Sequence, residues 1–158
     1  MDSCADQKKQ AFFQTLIDHM NAPGQFSADV NVRIEKIDVG YAEGVLDVHP
    51  NNLNMLGIVH GGCLATLADT TAGMGVIASG YEAVTVTYCL NFLRPATGKQ
   101  IRCIANAEKM GKTLCVMRVE LFNETSKPVA AGSFTFCLTA PLDPEHPFGW
   151  STNNADKK

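Results

Sequence analysis

One stretch of this 158-residue chain carries residue types that could do chemistry on a carbonyl group. Asp69 is the only charged residue between His60 and Glu82. A helical wheel surrounds it with small apolar residues, namely Ala65, Ala72, Gly73 and Val76. A carboxylate in such surroundings is costly to bury unless it is partnered or used. The sequence therefore marks Asp69 as a candidate functional group.

Two glycines, Gly61 and Gly62, stand at the predicted start of the same helix, directly after His60. Without a Cβ atom, their backbone N–H groups are open to a carbonyl oxygen or an anion at the helix N-terminus. A polarising helix N-terminus and an isolated carboxylate together suggest hydrolysis of an activated carbonyl. The alternative is that the glycines only allow tight packing and that Asp69 is a satisfied core acid.

The spacing of these groups has a consequence for assembly. Gly61 and Asp69 are eight residues apart, about 12 Å along a helix that rises about 1.5 Å per residue. Reacting groups must approach within about 3 Å, so both cannot reach one carbonyl carbon from the same helix. If both serve one reaction they come from different copies of the chain, which predicts a dimer with shared sites.

The surrounding elements indicate an α+β fold. Apolar residues recur at helical spacing in residues 10–20, whereas residues 1–9 are expected to be frayed. The apolar stretch from Gly61 to about Ser79 predicts one long central helix. Strand patterns cover residues 30–39, 41–48, 83–93, 100–110, 113–122 and 129–139. This order predicts an antiparallel sheet wrapped around the central helix.

The chain is long enough for a core of its own and divides into three segments. Residues 1–29 form an N-terminal helix and lead-in, and residues 30–140 form the main domain. Residues 141–158 are expected to be a C-terminal loop and flexible tail, because proline, glycine and polar residues dominate there.

Composition excludes several classes of function. A net charge of −3 gives no footprint for nucleic acid. Residues 61–81 approach membrane-spanning length, but their Asp, four Thr or Ser residues and lack of basic flanks favour a buried helix over a membrane segment. Six cysteines without C-x-x-C or zinc spacing, and no signal peptide, predict reduced thiols in a cytoplasmic protein. Four scattered histidines predict no metal site.

A longer motif surrounds these residues. Asn54 and Gly57 precede His60-Gly61-Gly62, and Asp69 follows nine residues after the histidine. This pattern resembles the hot-dog-fold acyl-CoA thioesterases, in the PaaI-like branch that includes phenylacetyl-CoA thioesterases and mammalian thioesterase-superfamily members. The resemblance spans about residues 30–139 and includes two further stretches, Phe92-Leu93-Arg94-Pro95-Ala96 and Lys109-x-Gly111-Lys112-Thr113.

The resemblance implies a fold and an assembly. The sheet would curl around the central helix, and two chains would pair edge to edge with two active sites at their interface. This implies a homodimer and, beyond it, a homotetramer built as a dimer of dimers. The shared sites agree with the spacing argument given above.

The resemblance also implies roles for individual residues. Asp69 would be the general base or the nucleophile, and the Gly61 N–H would polarise the thioester carbonyl. Asn54 would bind that oxygen or the attacking water, and His60 would order the loop. Thr85 would position the water, with Thr87, predicted to share its strand face, as the alternative.

The implied substrate is an acyl-CoA, of which CoA is itself a part, so no separate cofactor is expected. A thioester carbonyl is already activated, and the chain has no G-x-S-x-G nucleophile elbow. Cys63 is expected to be an inert buried thiol. Gly62 and four basic residues would contact the substrate, the latter at the CoA phosphates: Arg94, Lys99, Lys109 and Lys112.

Two other functions compete with this one. A hot-dog hydratase or dehydratase would need a His–Glu or Asp–His pair, which the sequence does not offer. A non-catalytic acyl-CoA sensor of this fold would carry a DNA-binding helix-turn-helix, for which the N-terminal segment leaves no room. The acyl group itself is not specified by the sequence.

Overall fold

The computed structural model describes residues 3–143, which form three α-helices and six strands. The helices are α1 (Ser3–Met20), α2 (Phe26–Asp29) and α3 (Gly61–Ile77), with one 3-10 turn at Pro50–Asn52. The strands are β1 (Val32–Asp38), β2 (Tyr41–Asp47), β3 (Tyr81–Phe92), β4 (Gln100–Met110), β5 (Leu114–Asn123) and β6 (Pro128–Pro141).

All six strands form one antiparallel sheet in the order β1-β2-β4-β5-β6-β3. Short turns join β4 to β5 and β5 to β6, whereas β3 follows α3 and lies at the far edge beside β6. The twelve-residue β3 has a neighbour on one side only, within the part of the chain described. The α+β architecture predicted from the element order is confirmed.

Helix α3 lies in the core against the concave face of the sheet. Its buried residues are mostly small or aliphatic: Leu64, Leu67, Ala68, Thr71, Ala72, Met74, Gly75 and Val76. Glycine is needed for the close approach to the sheet, because a Cβ at Gly75 would lie 2.9 Å from Met117 Cε and 3.2 Å from the Tyr41 backbone. The buried central helix is therefore confirmed.

No helix within residues 3–143 is long and apolar enough to cross a membrane.

Helix α1 packs on the opposite end of the sheet and builds a second apolar cluster. Phe13 and Leu16 are buried there together with Ile34, Met74 and Leu142. The backbone N–H of Leu142 donates to Gly80 O at 2.8 Å, which ties the end of β6 to the turn after α3. Residues 144–158, which include most of the expected C-terminal tail, lie outside the described residues.

The expectation that residues 1–9 are frayed is wrong for residues 3–9, which belong to α1. The sequence shows no apolar stripe in these exposed turns, so its periodicity gave no helix signal. Lys9 explains part of the difference, because its Nζ lies 2.8 Å from Asp38 Oδ1 and 5.2 Å from the centre of the Phe13 ring. These contacts hold a polar turn of α1 close to the end of β1.

Candidate active site

Asp69 projects from the middle of α3 towards the edge strand β3. Its carboxylate is half-buried, and Thr85 Oγ1 donates a hydrogen bond to Asp69 Oδ1 at 2.8 Å. Burial raises the pKa of Asp69 above its ordinary value, and the bond from Thr85 opposes part of that rise. Within residues 3–143 Oδ2 has no hydrogen-bond partner, so it is free to accept a proton.

A β-bulge separates the two threonines proposed as alternatives. Thr85 pairs with Phe136 of β6, whereas Thr87 pairs with Thr135, and Val86 is the extra residue between them. Because Phe136 and Thr135 are consecutive, they point to opposite faces of the sheet, and so do their partners. The prediction that Thr87 shares a face with Thr85 is therefore wrong. The sequence period of two cannot register an inserted residue.

A groove of about 630 Å³ runs between α3 and β3 and contains this pair. Small residues line its helix side, namely Gly62, Ala65 and Thr66. On the strand side the groove is lined by Tyr88, whose ring stacks on buried Phe134 with centroids 4.7 Å apart and planes 7° apart. Sequence reasoning missed Tyr88, because strand propensity alone gives a tyrosine no role.

The start of α3 leaves one backbone donor free. His60 is the N-cap, and its Nδ1 accepts from the Gly62 N–H at 2.9 Å, while its own backbone N–H donates to Asn52 O at 2.8 Å. The Gly61 N–H has no acceptor within the described chain. Of the two glycines, Gly61 alone thus presents an unpaired donor where the helix dipole is positive.

Asn54 forms the base of a rigid turn before α3. Its Oδ1 accepts from the Leu56 N–H at 2.9 Å and from the Ile58 N–H at 3.4 Å. Its backbone N–H donates to Ile58 O at 2.8 Å, and Gly57 adopts a φ of +72°, which favours glycine. The side-chain Nδ2 has no partner within residues 3–143, so it is the donor that Asn54 can offer a ligand.

Asn54 and Gly61 line a second cavity, of about 400 Å³, together with Phe92 and Arg94. The Phe92 ring lies beneath Gly61, where a Cβ would come within 3.3 Å of its Cζ atom. Neither Asp69 nor Thr85 lines this cavity. One chain therefore holds the acid and the carbonyl-polarising donor in two separate cavities, while Gly62 lines the acid's groove.

The basic residues predicted to hold CoA fall into two groups, of which the first is Arg94 with Lys99, an exposed residue directly before β4. The Arg94 guanidinium donates to Pro128 O and lies in the Gly61 cavity. Lys109 and Lys112 are exposed on the hairpin between β4 and β5. The hairpin lies at the far end of β4, about 33 Å from its start at Gln100, since a strand rises about 3.3 Å per residue. A single chain does not bring these cations together.

Cys63 follows the two glycines but is half-buried in α3, and burial raises the pKa of its thiol. A protonated thiol is a poor nucleophile, which argues against a catalytic role for it. Within residues 3–143 no group of three or more His, Cys, Asp or Glu side chains is arranged to hold a metal ion.

An antiparallel sheet curled around one long central helix is the hot-dog fold. The model of the thioesterase superfamily matches residues 56–130. Acyl-coenzyme A thioesterase 13 of Mus musculus is 35% identical over 94 residues, which cover 57% of this chain and 67% of the relative. Acyl-coenzyme A thioesterase PaaI of Escherichia coli K12 is 31% identical over 102 residues, which cover 64% and 73%.

A solved structure extends this likeness to three dimensions. A hypothetical thioesterase from Streptococcus pneumoniae, crystallised with coenzyme A, is 30% identical with a TM-score of 0.71, covering 79% of this chain and 96% of that one. Two further structures of the S. pneumoniae protein carry single alanines, one replacing an aspartate and the other a threonine sixteen residues later. The chain belongs to the thioesterase superfamily, in its PaaI-like branch, a family of thioester hydrolases.

Proposed function

We propose that this protein hydrolyses an acyl-CoA thioester to a free acid and CoA, with Asp69 as the group that activates water. The observation that carries the proposal is the half-buried Asp69 carboxylate with its raised pKa and its hydrogen bond from Thr85. The sixteen-residue spacing of these two residues equals that of the aspartate and threonine replaced in the S. pneumoniae structures. The acyl-CoA thioesterases among its relatives support the substrate class.

The chemistry needs one donor and one base. The Gly61 N–H binds the thioester oxygen, with the Asn54 amide beside it, and so stabilises the negative charge that develops there. Thr85 and Asp69 hold a water, whose oxygen attacks the carbonyl carbon while its proton passes to Asp69 Oδ2. The tetrahedral intermediate collapses, CoA leaves as the thiolate, and the proton is returned to it.

Asp69 as a nucleophile is the alternative route, through a mixed anhydride with the acyl group. A single turnover in ¹⁸O-labelled water separates the two. With a general base the label enters the acid product, whereas attack of water on the Asp69 carbonyl of an anhydride puts the label into the protein and leaves the acid unlabelled.

The complete site requires two chains. Asp69 and Thr85 lie in one cavity and Asn54 and Gly61 in another. The edge strand β3 that runs between these cavities carries large exposed apolar residues, Val84 at 54%, Val86 at 57% and Tyr88 at 54%. Pairing this edge antiparallel with a second copy gives unpaired backbone groups of β3 hydrogen-bond partners. It also brings the acid of each chain to the donor of the other.

The same pairing assembles the cations. Across the sheet, Thr85 lies in register with Phe136, Cys115 and Met110, so the β4–β5 hairpin lies at the Thr85 end of the chain. Antiparallel association places this hairpin beside the Arg94 end of the partner. Lys109 and Lys112 of one chain and Arg94 of the other then flank one site, where they bind the CoA phosphates.

Two wider elements of the proposal concern assembly and location. Two such dimers would associate into a homotetramer, which sedimentation equilibrium measures directly. A cytoplasmic location is also proposed, and fractionation of cells that produce the native protein tests it.

The direct test is an assay of the purified protein with a panel of acyl-CoAs and a thiol reagent that detects released CoA. Release by the wild type, and its loss by at least 100-fold in Asp69→Asn, is the expected result. Wild-type rates in that variant would remove Asp69 from the mechanism. Binding of acyl-CoA without turnover would favour a sensor, and hydration of an enoyl-CoA without CoA release would favour a hydratase.

A further inference from the structure

In the proposed dimer the free edges of two β3 strands pair antiparallel. We infer that Cys89 of one chain faces Cys89 of the second copy on the two-fold axis. The inference rests on the proposed function in one respect, namely that Asp69 and Gly61 of different copies act on one carbonyl. Everything else comes from the faces of β3 and from its bulge.

The pairing of β3 with β6 shows which face of the sheet each side chain of β3 lies on. Residues paired across antiparallel strands share a face. Tyr88 pairs with buried Phe134, so it faces α3, and Cys89 pairs with Ser133, so it faces outwards. Thr85 also faces α3, since it pairs with buried Phe136 and donates to Asp69. The bulged Val86 makes this arrangement possible.

The two halves of the site lie at different positions along β3. The acid half is fixed at Thr85 by the 2.8 Å hydrogen bond to Asp69. The donor half is fixed at Phe92, whose ring is within 3.3 Å of a Cβ built on Gly61. For the two halves to meet across the interface, Thr85 of one chain must face Phe92 of the other.

A symmetric register with Cys89 on the two-fold axis gives this pairing. With Cys89 on the axis, Tyr88 faces Leu90 and Thr87 faces Asn91. Beyond the unpaired Val86, Thr85 then faces Phe92. Each pair shares a face, because the β6 partners of Leu90, Asn91 and Phe92 are Gly132, Ala131 and Ala130. An axis at Tyr88 would set Thr85 against Leu90 instead, about 7 Å away from Phe92 along the strand.

The exposed side chains fit this register. Tyr88 rests one ring face on Phe134, which belongs to the inner neighbour β6, so its other face points to the free edge. Tyr88 is 54% exposed in the single chain. In the proposed register Tyr88 packs against Leu90 of the second copy below the two central helices. An aromatic and aliphatic contact therefore replaces water along the axis.

On the outer face the register brings two thiols together. Directly opposed residues of antiparallel strands have Cα atoms about 4.5–5.5 Å apart, which lies within the range of about 4.4–6.8 Å that a disulfide spans. Cys89 is exposed and makes no disulfide in the described chain. The natural sequence therefore carries its own reporter of the axis.

The experiment treats the purified protein with copper(II)–phenanthroline and separates it without reductant. Two Cys89 thiols release two protons to the solvent and pass two electrons to two copper(II) ions, and one S–S bond forms. A covalent dimer that dithiothreitol reverses is expected. Cys89→Ser should abolish it, whereas Cys4→Ser, which removes the exposed thiol of α1, should leave it unchanged.

Two variants in the Cys89→Ser background test the neighbouring positions. One variant carries Thr87→Cys and the other Asn91→Cys. They should cross-link strongly only when they are mixed and allowed to exchange subunits, because Thr87 of one chain faces Asn91 of the other. If two Thr87→Cys chains instead cross-link to each other as efficiently as two Cys89 chains do in the wild type, the axis lies elsewhere and the inference fails. A wild-type dimer linked through Cys4 would also overturn it.

The cross-link and the catalytic activity fail independently of each other. Cys89→Ser should keep its acyl-CoA hydrolysis, because its side chain lies on the outer face. If the Cys89 cross-link forms but Asp69→Asn hydrolyses acyl-CoA normally, the register stands and the proposed chemistry falls. If the protein is an active monomer by sedimentation, both the register and the shared site are wrong.

Discussion

At the scale of single residues, burial and the hydrogen bond from Thr85 act in opposite directions on the pKa of Asp69, and burial has the larger effect. Burial in the groove raises the pKa of the carboxyl, and the Thr85 hydroxyl lowers it by stabilising the ionised form. A base must be ionised to take a proton, so in the proposed mechanism the two effects set the lower pH limit of activity. Thr85 would then act on the carboxylate as well as on the water.

We expect Thr85→Ala to move the acid limb of the kcat/KM profile to higher pH, because the bond that favours the carboxylate is lost. A hydrogen bond to a charged group contributes about 1.5–3 kcal/mol, so kcat should also fall about 10- to 100-fold. Stopped-flow assays across pH measure both effects. Thr85→Ser keeps a hydroxyl and serves as the matched control, and an unchanged limb in the alanine variant would contradict the role.

The raised pKa of Asp69 also predicts a cost to stability that depends on pH. Below the ordinary carboxyl pKa of about 3.9 the group is protonated in both folded and unfolded chains, so it has no effect. As pH rises towards the folded pKa, the unfolded chain ionises first and the folded state loses stability.

Asp69→Asn removes this titration, so its stability relative to the wild type should increase as pH rises from about 3.9 through the raised pKa of folded Asp69, and should be constant above it. Urea unfolding at several pH values measures the difference. A difference that stays constant with pH would show that the carboxyl of Asp69 has the same pKa in both states.

At the scale of elements, the start of α3 is organised by a cap. His60 Nδ1 accepts a hydrogen bond from the Gly62 N–H, and the His60 backbone N–H donates one to the Asn52 carbonyl. Asn52 is itself buried, and its amide bridges Asp47 O and the His49 N–H. These hydrogen bonds fix the orientation of the start of α3, where the Gly61 N–H has no acceptor within the described chain.

Removing this cap should cost stability and rate together. His60→Ala leaves the Gly62 N–H without its acceptor, and loss of an N-cap costs about 1 kcal/mol. Urea unfolding and kcat/KM with an acyl-CoA measure the two effects. His60→Asn, which supplies another capping acceptor, should restore most of both, whereas failure of Asn to restore activity at restored stability would point to a further role for the imidazole.

At the scale of the whole molecule, the proposal is that one chain holds two incomplete sites and that two chains complete both. Hybrid dimers test this directly. A chain with Asp69→Asn and a chain with Asn54→Ala form a hybrid in which one site is intact, so random exchange should restore about one quarter of wild-type activity.

The matched control for this experiment mixes two lesions from the same half of the site. Asp69→Asn and Thr85→Ala chains leave no intact site in any dimer, so mixing them should restore nothing. Equal recovery in both mixtures, or none in the first after verified exchange, would contradict the shared site.

The proposed CoA contacts also belong to this scale, because in the proposed dimer they come from both chains. If Lys109 and Lys112 act through ground-state attraction to phosphate, their double replacement by alanine should raise KM more than it lowers kcat. Salt should raise the wild-type KM in the same way. Lys8→Ala, an exposed charge on α1, is the control, and a short thioester without the nucleotide should show neither effect.

The sequence by itself determined the order of the elements, the buried central helix and the group of candidate residues around His60. These follow from local rules, since apolar periodicity, glycine pairs and an isolated charge are visible within a few residues. The acidic residue Asp69 stood out because no other charge shares its helix.

Only the tertiary structure decided which residues meet. The bulge at Val86 places the Thr87 side chain on the other face of β3 from Thr85, which bonds Asp69, and the length of β4 separates Lys109 and Lys112 from Arg94 within a chain. The contact of Lys9 with Asp38, far away in sequence, holds a polar turn of α1 close to the sheet. Such pairings depend on strand register and on long-range packing, which a period in the sequence does not encode.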